Sequence, residues 1–277
     1  HERYLKTTAF GFTGHRPDCA MVMVGANAGV QQITKEHIKL ALGTHVPILL
    51  VVTKIDMMAD KRHILERTRK HVRAILKSDG CRKIPFEVKS MADVIAAYEG
   101  FHTTALAPIF EVSNVTGAGI DLLKAFLNLL VPGRQRRDAE PARYQVDDDF
   151  SVPGIGTVVS GTVVSGRIKA GDTLLLGPSP TGEFTPTQVR TIERHRLPVP
   201  FVRSQEMATL ALRKTDRRDI RRGMVMLAKE LKPRAVWQFD AQLVILHHPT
   251  TIKRGYQTMV HCGCIRQTAR IIDMPAD

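Results

Sequence analysis

The chain has 277 residues, which is enough for two or three domains with hydrophobic cores of their own. Its 40 Lys and Arg residues outnumber its 27 Asp and Glu residues and give a net charge of +13, which favours a polyanionic partner such as RNA or an anionic surface. The four cysteines are too few for a disulfide scaffold, and no apolar run approaches the ~18 residues of a membrane span, so neither a disulfide-rich secreted domain nor a membrane protein is favoured.

Composition also bears on location and ligands. A soluble protein that merely has a high pI is the alternative to a polyanion-binding one. The low cysteine content fits a reducing compartment, and without a signal peptide we expect a cytoplasmic location. Cys262 and Cys264 have no matching second pair, so we expect no metal site there. The chain opens on His1 rather than on Met, from which we expect a fragment of a longer protein.

Three short apolar runs in the first half are typical of strands that are covered on both faces. They are CAMVMVGA, VPILLVVT and PIFEVS, at 19–26, 46–53 and 108–113. A helix is predicted between the first two runs, because Thr34 can cap its start and Gly43 can end it.

Two further helices are predicted in the same half. Apolar residues at helical spacing follow the second run and stop at Gly80, and the stretch GIDLLKAFLNLLVPG follows the third run and stops at Pro132. The resulting β-α-β-α-β-α order predicts a parallel sheet with helices on both faces. Ligands of such sheets bind beyond the carboxyl ends of the strands, where residues 53–56 and 113–115 lie.

The second half has a different period. Short β-branched runs, cut by glycines at close intervals, predict an all-β barrel over 144–231. The charged stretch 133–143, with a proline near each end, is predicted to be a linker after an α/β domain over 1–132. A further β segment is predicted to start within 232–277, at AVWQFDAQLVILHH, and the chain that remains is too short for another barrel.

The tetrapeptide TKID at the end of the second predicted strand is typical of guanine recognition. The Asp56 carboxylate can accept hydrogen bonds from the N1 and N2 donors of guanine, a pair that adenine lacks. The alkyl stem of Lys54 can lie across the ring, and the Thr53 hydroxyl can join neighbouring loops. In the second strand-end loop, the backbone around Asn114 and Val115 can approach the guanine oxygen. The alternative is a solvated loop with an ion pair.

Long stretches of the chain resemble the translational GTPases of the elongation-factor-Tu-like group, and most of all the branch of GTP-binding proteins 1 and 2. HERYLKTT resembles the segment after that family's Asp-x-x-Gly motif, TKID its Asn/Thr-Lys-x-Asp motif, and SNVTG its Ser-Ala-x motif. FSVPGIGTVVSGTVVSGRIKAGDTLLLGP resembles the opening of its second-domain barrel, and LVILHHPTTIKRGYQTMVHCGCIRQTA the start of its third domain. The implied fold class is α/β plus β: the C-terminal part of a P-loop GTPase-type parallel-sheet domain, a translation-factor β-barrel and part of a second β domain.

The resemblance also implies roles for particular residues. His1 stands where the family has the histidine that orients the attacking water, although a terminal residue without a fixed position is the alternative. The residues implied to bind GTP are Thr53, Lys54, Asp56, Ser113, Asn114 and Val115. The family usually has Ala where this chain has Asn114, and this difference leaves the backbone contact feasible. The implied ligands are GTP and Mg²⁺.

The phosphate-binding part of such a domain does not occur in these residues. There is no G-x-x-x-x-G-K-[ST], and the Ser/Thr that holds Mg²⁺, the switch threonine and the Asp of Asp-x-x-Gly are also absent. Phosphoryl transfer depends on these parts, so we expect an N-terminal truncation that removes the Mg²⁺ ligands, and no GTP hydrolysis by this chain alone.

The whole protein is expected to hydrolyse GTP to GDP as a switch in translation or in ribosome-associated mRNA surveillance. A non-catalytic module that binds the ribosome or RNA through a degenerate GTPase domain is the alternative. An ATP-specific NTPase is disfavoured by Asp56.

Basic residues cluster at RQRR in the predicted linker and at RKTDRRDIRRGM, 213–224. Arg217, Arg218, Arg221 and Arg222 can contact RNA phosphates, but few aromatic residues lie between them, so base stacking is not implied. A solvated turn is the alternative. Together with the resemblance, the charge predicts the ribosome and RNA as partners, with tRNA as one candidate, for a monomer that does not enter a membrane.

Overall fold

The computed structural model describes residues 2–101, 105–131, 136–243, 245 and 251–274. The chain forms two compact units. One comprises His1–Phe12 and Pro17–Arg134, and the other comprises Thr13–Arg16 and Gln135–Asp277. The first unit is built on a parallel sheet with helices and the second on antiparallel strands, which confirms the predicted fold class.

A four-stranded parallel sheet forms the centre of the first unit. Its strands are β1 (Ala20–Gly25), β2 (Ile48–Thr53), β3 (Ile84–Glu87) and β4 (Leu106–Glu111). They run in the order β1-β2-β4-β3. The helices are α1 (Glu2–Gly14), α2 (Gln32–Gly43), α3 (Arg62–Lys77), α4 (Met91–Phe101) and α5 (Ile120–Leu129), and a 3-10 turn covers Ile55–Met58.

The central strand β2 is covered on both faces, whereas β1 is covered on only one, because Met21 and Met23 are 46% and 52% exposed. The prediction of two covered faces is therefore wrong for the run at 19–26.

Alternate residues of a strand point to opposite faces, and all of β2 up to Val52 is buried. Ile48 and Leu50 belong to a core with α2 and α3, whereas Leu49 and Val51 belong to a core with α4 and α5. This is why the strand needs a continuous apolar run rather than an alternating one.

The sequence pattern does not predict β3 or α4. β3 has only 4 residues, which is too short for a period to show. α4 is apolar around its circumference and leaves Met91 and Ile95 exposed, so it lacks the contrast between faces that marks an amphipathic helix.

Six strands of the second unit close into a barrel. They are β5 (Arg143–Val152), β6 (Gly156–Ser165), β8 (Thr173–Gly177), β9 (Thr185–Arg194), β12 (Met207–Arg213) and β13 (Val225–Leu227). The order is β9-β12-β6-β5-β13-β8, and pairing between β8 and β9 closes the ring. The short β10 (Leu197–Pro198) extends the sheet beside β9, and β7 (Arg167–Lys169) pairs with β11 (Phe201–Arg203). The predicted β-barrel is confirmed, and β5 begins at the last residue of the predicted linker.

The last part of the chain differs from the prediction. The described residues from Ala235 to Leu243, and Ile245, lie outside any strand, and Trp237 is 84% exposed. A strand needs a neighbour for its backbone hydrogen bonds, and the described residues supply none here. The β structure that does form is a hairpin of β14 (Gln257–Cys262) and β15 (Ile265–Arg270).

The hairpin is attached to the barrel through its turn. Cys264 is buried, and its thiol donates a hydrogen bond to Asp147 of β5. Burial raises the pKa of both the Cys264 thiol and the Asp147 carboxyl. Cys262 is exposed, so only one cysteine of the CGC sequence has a packing role.

The barrel interior is organised around Tyr144, which is fully buried. Its hydroxyl donates to the Ala208 carbonyl oxygen at 2.8 Å and so connects β5 to β12. Burial raises the pKa of Tyr144 well above its ordinary value, so the phenol stays protonated and keeps its donor. Gly161 makes room for this contact, because a Cβ there would lie 1.9 Å from the Gln145 carbonyl oxygen and 2.9 Å from the Tyr144 ring.

We expect Gly161→Ala to destabilise the barrel by about 3 kcal/mol, at the upper end of the cost of overpacking a core, because the clash is with backbone. Hydrogen exchange of the β5 and β6 amides measures this, since it reports on the barrel separately from the α/β unit. Gly80→Ala is the control, because nothing lies within 4 Å of its added Cβ. Equal protection of β5 and β6 in the two variants would contradict the steric argument.

Candidate functional site

The loops after β2 and β4 lie side by side because the two strands pair in parallel. Val52 and Glu111 are partners in the register, and the Val112 amide donates to the Val52 carbonyl at 2.8 Å. Asp56 follows shortly after β2 and Ser113 shortly after β4. The two predicted motifs therefore meet at the carboxyl edge of the sheet, where parallel sheets bind ligands.

The loop after β2 turns sharply at Lys54. This residue has φ 62° and ψ 36°, a left-handed conformation that costs a residue other than glycine about 1–2 kcal/mol. Directly after it, the 3-10 turn Ile55–Met58 is anchored in the core by the buried side chain of Met58. The turn leaves the Lys54 side chain exposed and directs the half-buried Asp56 toward the neighbouring loop. Backbone strain of this kind is common at ligand-binding sites.

The Ser113 side chain joins the two loops. It is fully buried, and its hydroxyl donates a hydrogen bond to Asp56 Oδ1 at 2.5 Å. The same hydroxyl accepts from the backbone amides of Val115 at 3.2 Å and Thr116 at 3.1 Å. A serine hydroxyl has one donor and two acceptor sites, so its hydrogen-bonding capacity is fully used.

Particular atoms of the two loops are left for a ligand. Among the residues that the structure describes, only Ser113 donates to the Asp56 carboxylate, so Oδ2 and the second lone pair of Oδ1 can accept further hydrogen bonds. The Asn114 amide has no acceptor within the described ranges, whereas the Val115 amide is engaged by Ser113. Of the two predicted backbone donors to a guanine oxygen, Asn114 N–H therefore fits better.

The described contacts do not support two of the predicted roles. His1 lies outside the described residues. The Thr53 hydroxyl forms no hydrogen bond to the described part of the chain, but the Thr53 carbonyl accepts from the Ala26 amide at 2.8 Å. The ends of β1 and β2 are therefore joined through backbone rather than through this side chain.

Two side chains of α3 that hold these loops were not identified from the sequence. The Thr68 hydroxyl is buried and donates to the Ala26 carbonyl at 3.1 Å. Arg69 donates from Nε to Glu111 Oε1 and from Nη2 to Glu111 Oε2, both at 2.6 Å. This hydrogen bonding raises the pKa of Arg69 further above its ordinary value, so the guanidinium stays charged. The sequence does contain a signal for Thr68, because it is a polar residue on the buried face of an amphipathic helix.

The described residues contain no group of three or more His, Cys, Asp or Glu side chains that could hold a metal ion. The described residues therefore offer no such cluster to the predicted Mg²⁺. In the same part of the chain, no helix combines the length and the hydrophobicity needed to cross a bilayer.

The arginine cluster in the second unit is partly neutralised. Arg217 and Arg222 donate to carboxylates of β5 at 2.6 and 2.8 Å. Arg218 and Arg221 form no ion pair with any residue in the described ranges. The free positive charge of the turn is therefore smaller than the sequence indicated.

A cleft of about 550 Å³ lies beside this turn on the barrel. Its basic lining residues are Arg190, Arg213 and Lys214, and Asp216 contributes a carboxylate. The Arg190 guanidinium donates to the Ile155 carbonyl at 3.2 Å, which holds it at the rim of the cleft. The cleft and the turn together form a basic surface on the second unit.

Comparison with known proteins shows which class this fold represents. The family model Elongation factor Tu GTP binding domain matches residues 1–132, and Elongation factor Tu domain 2 matches residues 156–227. GTP-binding protein 1 of Xenopus laevis is 54% identical over 277 residues, which are 100% of this chain and 42% of that protein. GTP-binding protein 2 of Homo sapiens is 42% identical over 275 residues, which are 97% of this chain and 45% of that protein. The chain thus spans less than half the length of these relatives.

A solved structure has the same fold. Translation elongation factor SelB from Methanococcus maripaludis, in complex with the GTP analogue GPPNHP, matches with a TM-score of 0.69 at 20% identity, over 97% of this chain and 53% of its own. The architecture is that of an elongation-factor-Tu-like GTP-binding domain followed by a translation-factor barrel. The chain belongs to the translational GTPase family, which confirms the resemblance seen in the sequence.

We expect Ser113→Ala to loosen the loop after β4. The Val115 amide should exchange with solvent about tenfold faster, because losing a buried hydrogen bond costs about 1–1.5 kcal/mol and 1.4 kcal/mol corresponds to tenfold. Thr116→Ala is the control, since it removes only an exposed 3.4 Å contact to the Ala118 amide. If Val115 exchanges equally fast in both variants, the Ser113 hydroxyl does not hold the loop.

Proposed function

We propose that the protein binds GTP at the loops after β2 and β4 and hydrolyses it to GDP as a switch in translation or ribosome-associated mRNA surveillance. The hydrogen bond between Ser113 and Asp56 carries this proposal, because it joins the Asp56 carboxylate to the loop after β4 at the carboxyl edge of the sheet, where parallel sheets bind ligands. Two relatives are named GTP-binding proteins, and a structural neighbour holds a GTP analogue.

The proposed site reads the base rather than the phosphates. Asp56 accepts from guanine N1 and N2 through the carboxylate positions that Ser113 leaves open. The exposed Lys54 lays its alkyl stem along the ring, and the Asn114 amide donates to the guanine oxygen. Adenine presents an acceptor at N1 and no amino group at C2, so the same contacts exclude it.

Hydrolysis is proposed for the whole protein, because this chain spans less than half the length of its relatives. His1 is proposed to orient the attacking water, as the family resemblance implies. Mg²⁺ is proposed to accompany GTP, with ligands outside the described residues. Tests of nucleotide binding therefore use the full-length protein, meaning the longest polypeptide expressed with these residues.

In the full-length protein, Asp56→Asn should lose GTP and gain xanthosine triphosphate. The Asn amide can donate to the carbonyl that xanthine has in place of the guanine amino group, but it cannot accept from both guanine donors. Two hydrogen bonds to a charged acceptor are worth roughly 1.5–3 kcal/mol each, so GTP should bind at least about a hundredfold more weakly.

Competition binding of the two nucleotides measures this change. Lys54→Ala is the control, because its contacts do not read the base edge and both nucleotides should weaken together. An Asp56→Asn protein that still prefers GTP would refute guanine recognition at TKID. A full-length protein that binds no nucleotide would favour a non-catalytic RNA-binding module instead.

The ribosome and RNA are proposed as partners, with tRNA as one candidate. The net charge of +13 and the basic surface of the second unit support this proposal. Arginines that are not neutralised within the protein are best able to contact phosphates. We therefore propose Arg218 and Arg221 as the phosphate-contacting residues of the turn. A monomeric state and a cytoplasmic location stay predictions.

Replacing Arg218 and Arg221 together with Ala should weaken RNA association. The slope of log K against log salt should fall by roughly 0.7 to 0.9 for each phosphate that the variant no longer neutralises. The matched control is the double replacement of Arg217 and Arg222, which lie in the same turn but already pair with carboxylates. Filter binding of ribosomal RNA over a salt series is the measurement, and equal slopes for the two double variants would leave the turn as a solvated surface.

A further inference from the structure

Two arginines on α3 form ion pairs with carboxylates at the ends of sheet strands. Arg69 pairs with Glu111 at the end of β4, and Arg73 pairs with Glu87 at the end of β3. The two arginines lie one helical turn apart and have the same chemistry. Arg69 also pairs with Glu66 on its own helix. The difference that bears on the candidate site is that the loop after β4 carries Ser113, whereas β3 leads into α4.

The Arg69 contact is the more constrained of the two. Both nitrogens that donate to Glu111 are 2.6 Å from separate carboxylate oxygens, which is the two-pronged geometry that fixes orientation as well as distance. Arg69 is 29% and Glu111 25% exposed, so solvent screens the pair only in part. Arg73 directs both of its donors to one oxygen of Glu87, which also pairs with Lys89.

Glu111 contacts the structure on both sides of the Ser113 loop: the strand before the TKID loop and the start of α5. Its partner across the sheet is Val52, just before the TKID loop. On the other side its carbonyl oxygen contacts Gly119, where a Cβ would lie only 1.9 Å away, so the start of α5 packs directly on it. A shift of Glu111 would therefore move both ends of the loop that contains Ser113.

α3 also continues directly from the loop that contains Asp56. α3 thus follows the loop that contains Asp56, and through Arg69 it also binds β4, the strand that precedes the Ser113 loop. The adjacent residue Thr68 holds the end of β1 in the same way, through the Ala26 carbonyl. The only side-chain link between the two halves themselves, within the described residues, is the bond from Ser113 to Asp56.

We propose that Arg69 is a positioning residue for guanine recognition: its two hydrogen bonds to Glu111 hold the Ser113 loop at the distance from Asp56 at which both can contact one base. The inference rests on the proposed function for its ligand, the guanine base. Its geometric part, the placement of the Ser113 loop by Arg69, does not depend on any ligand.

The test compares Arg69→Met with Arg73→Met, which removes a charge from the same helix one turn away. In the chain without nucleotide, the Val115 amide should exchange about five- to tenfold faster in Arg69→Met, an effect below or equal to that of losing the Ser113 hydroxyl itself. Arg73→Met should leave Val115 exchange within about twofold of the parent rate. Equal acceleration in both variants would reduce Arg69 to a general contribution to stability and overturn the proposal.

The second readout is base selectivity in the full-length protein. Inosine triphosphate lacks the amino group of guanine, so the ratio of its dissociation constant to that of GTP reports the Asp56 contact. Arg69→Met should lower this ratio about fivefold, and Arg73→Met should not change it. Combining Arg69→Met with Asp56→Asn should cause no additional decrease in selectivity, because the contact that Arg69 positions is already gone.

The outcomes separate the two proposals. If Asp56→Asn leaves the ratio unchanged, the proposed function fails, whatever Arg69 does to amide exchange. If Asp56→Asn lowers the ratio and Arg69→Met does not, the positioning role fails and the proposed function stands. Should Arg69→Met not fold, Glu111→Gln removes the charge from the same contact while keeping its shape, and it should give the same two results.

Discussion

The candidate site depends on one hydrogen bond, from the Ser113 hydroxyl to Asp56 Oδ1. Its partners lie 57 residues apart in the chain, on loops that follow different strands. Their meeting is possible because β2 and β4 are adjacent and parallel, so both carboxyl ends reach the same edge. The bond also uses a buried hydroxyl whose other sites are taken by its own loop, so it sets the position of that loop against the carboxylate.

The support for this bond is arranged around α3. Buried apolar residues such as Val72 and Leu76 attach the helix to the sheet, which is the nonspecific part of the packing. The polar contacts of Thr68 and Arg69 are directional, and each selects the end of one strand. Hydrophobic burial thus brings the elements together, and a few hydrogen bonds decide how the loops at their ends are aligned.

The second unit is held together by closure of its barrel and by packing around Tyr144. A closed barrel leaves fewer free strand edges, and close approach of β5 and β6 at Gly161 lets Tyr144 fill the interior with its hydroxyl satisfied. Its surface charges are less simple than a count of arginines indicates. Acidic residues of β5 pair with half of the arginine cluster, so the structure separates arginines that pair within the protein from those available to a polyanion.

The sequence by itself determined the class of the fold and the position of the candidate site on the loops after β2 and β4. Continuous apolar runs mark the strands, and the polar residues that interrupt them at 53–56 and 113–115 mark loops, because both signals are local in the chain. The same locality explains why β3 and α4 escaped prediction, since one is too short and the other too uniformly apolar to show a period. Whether both faces of a strand are covered is not local: β2 is covered on both, but β1 exposes Met21 and Met23.

Only the tertiary structure decided which atoms of the motif are available and what holds them. The roles of Arg69 and Glu111 follow from a contact across 42 residues, and nothing in the local sequence of either distinguishes it from the pair of Arg73 and Glu87. Likewise, the AVWQFDAQ stretch has an alternating pattern typical of a strand, but its described residues form none. A pattern sets which side chains share a face, whereas a strand also requires a neighbour for its backbone, and that neighbour is a property of the fold.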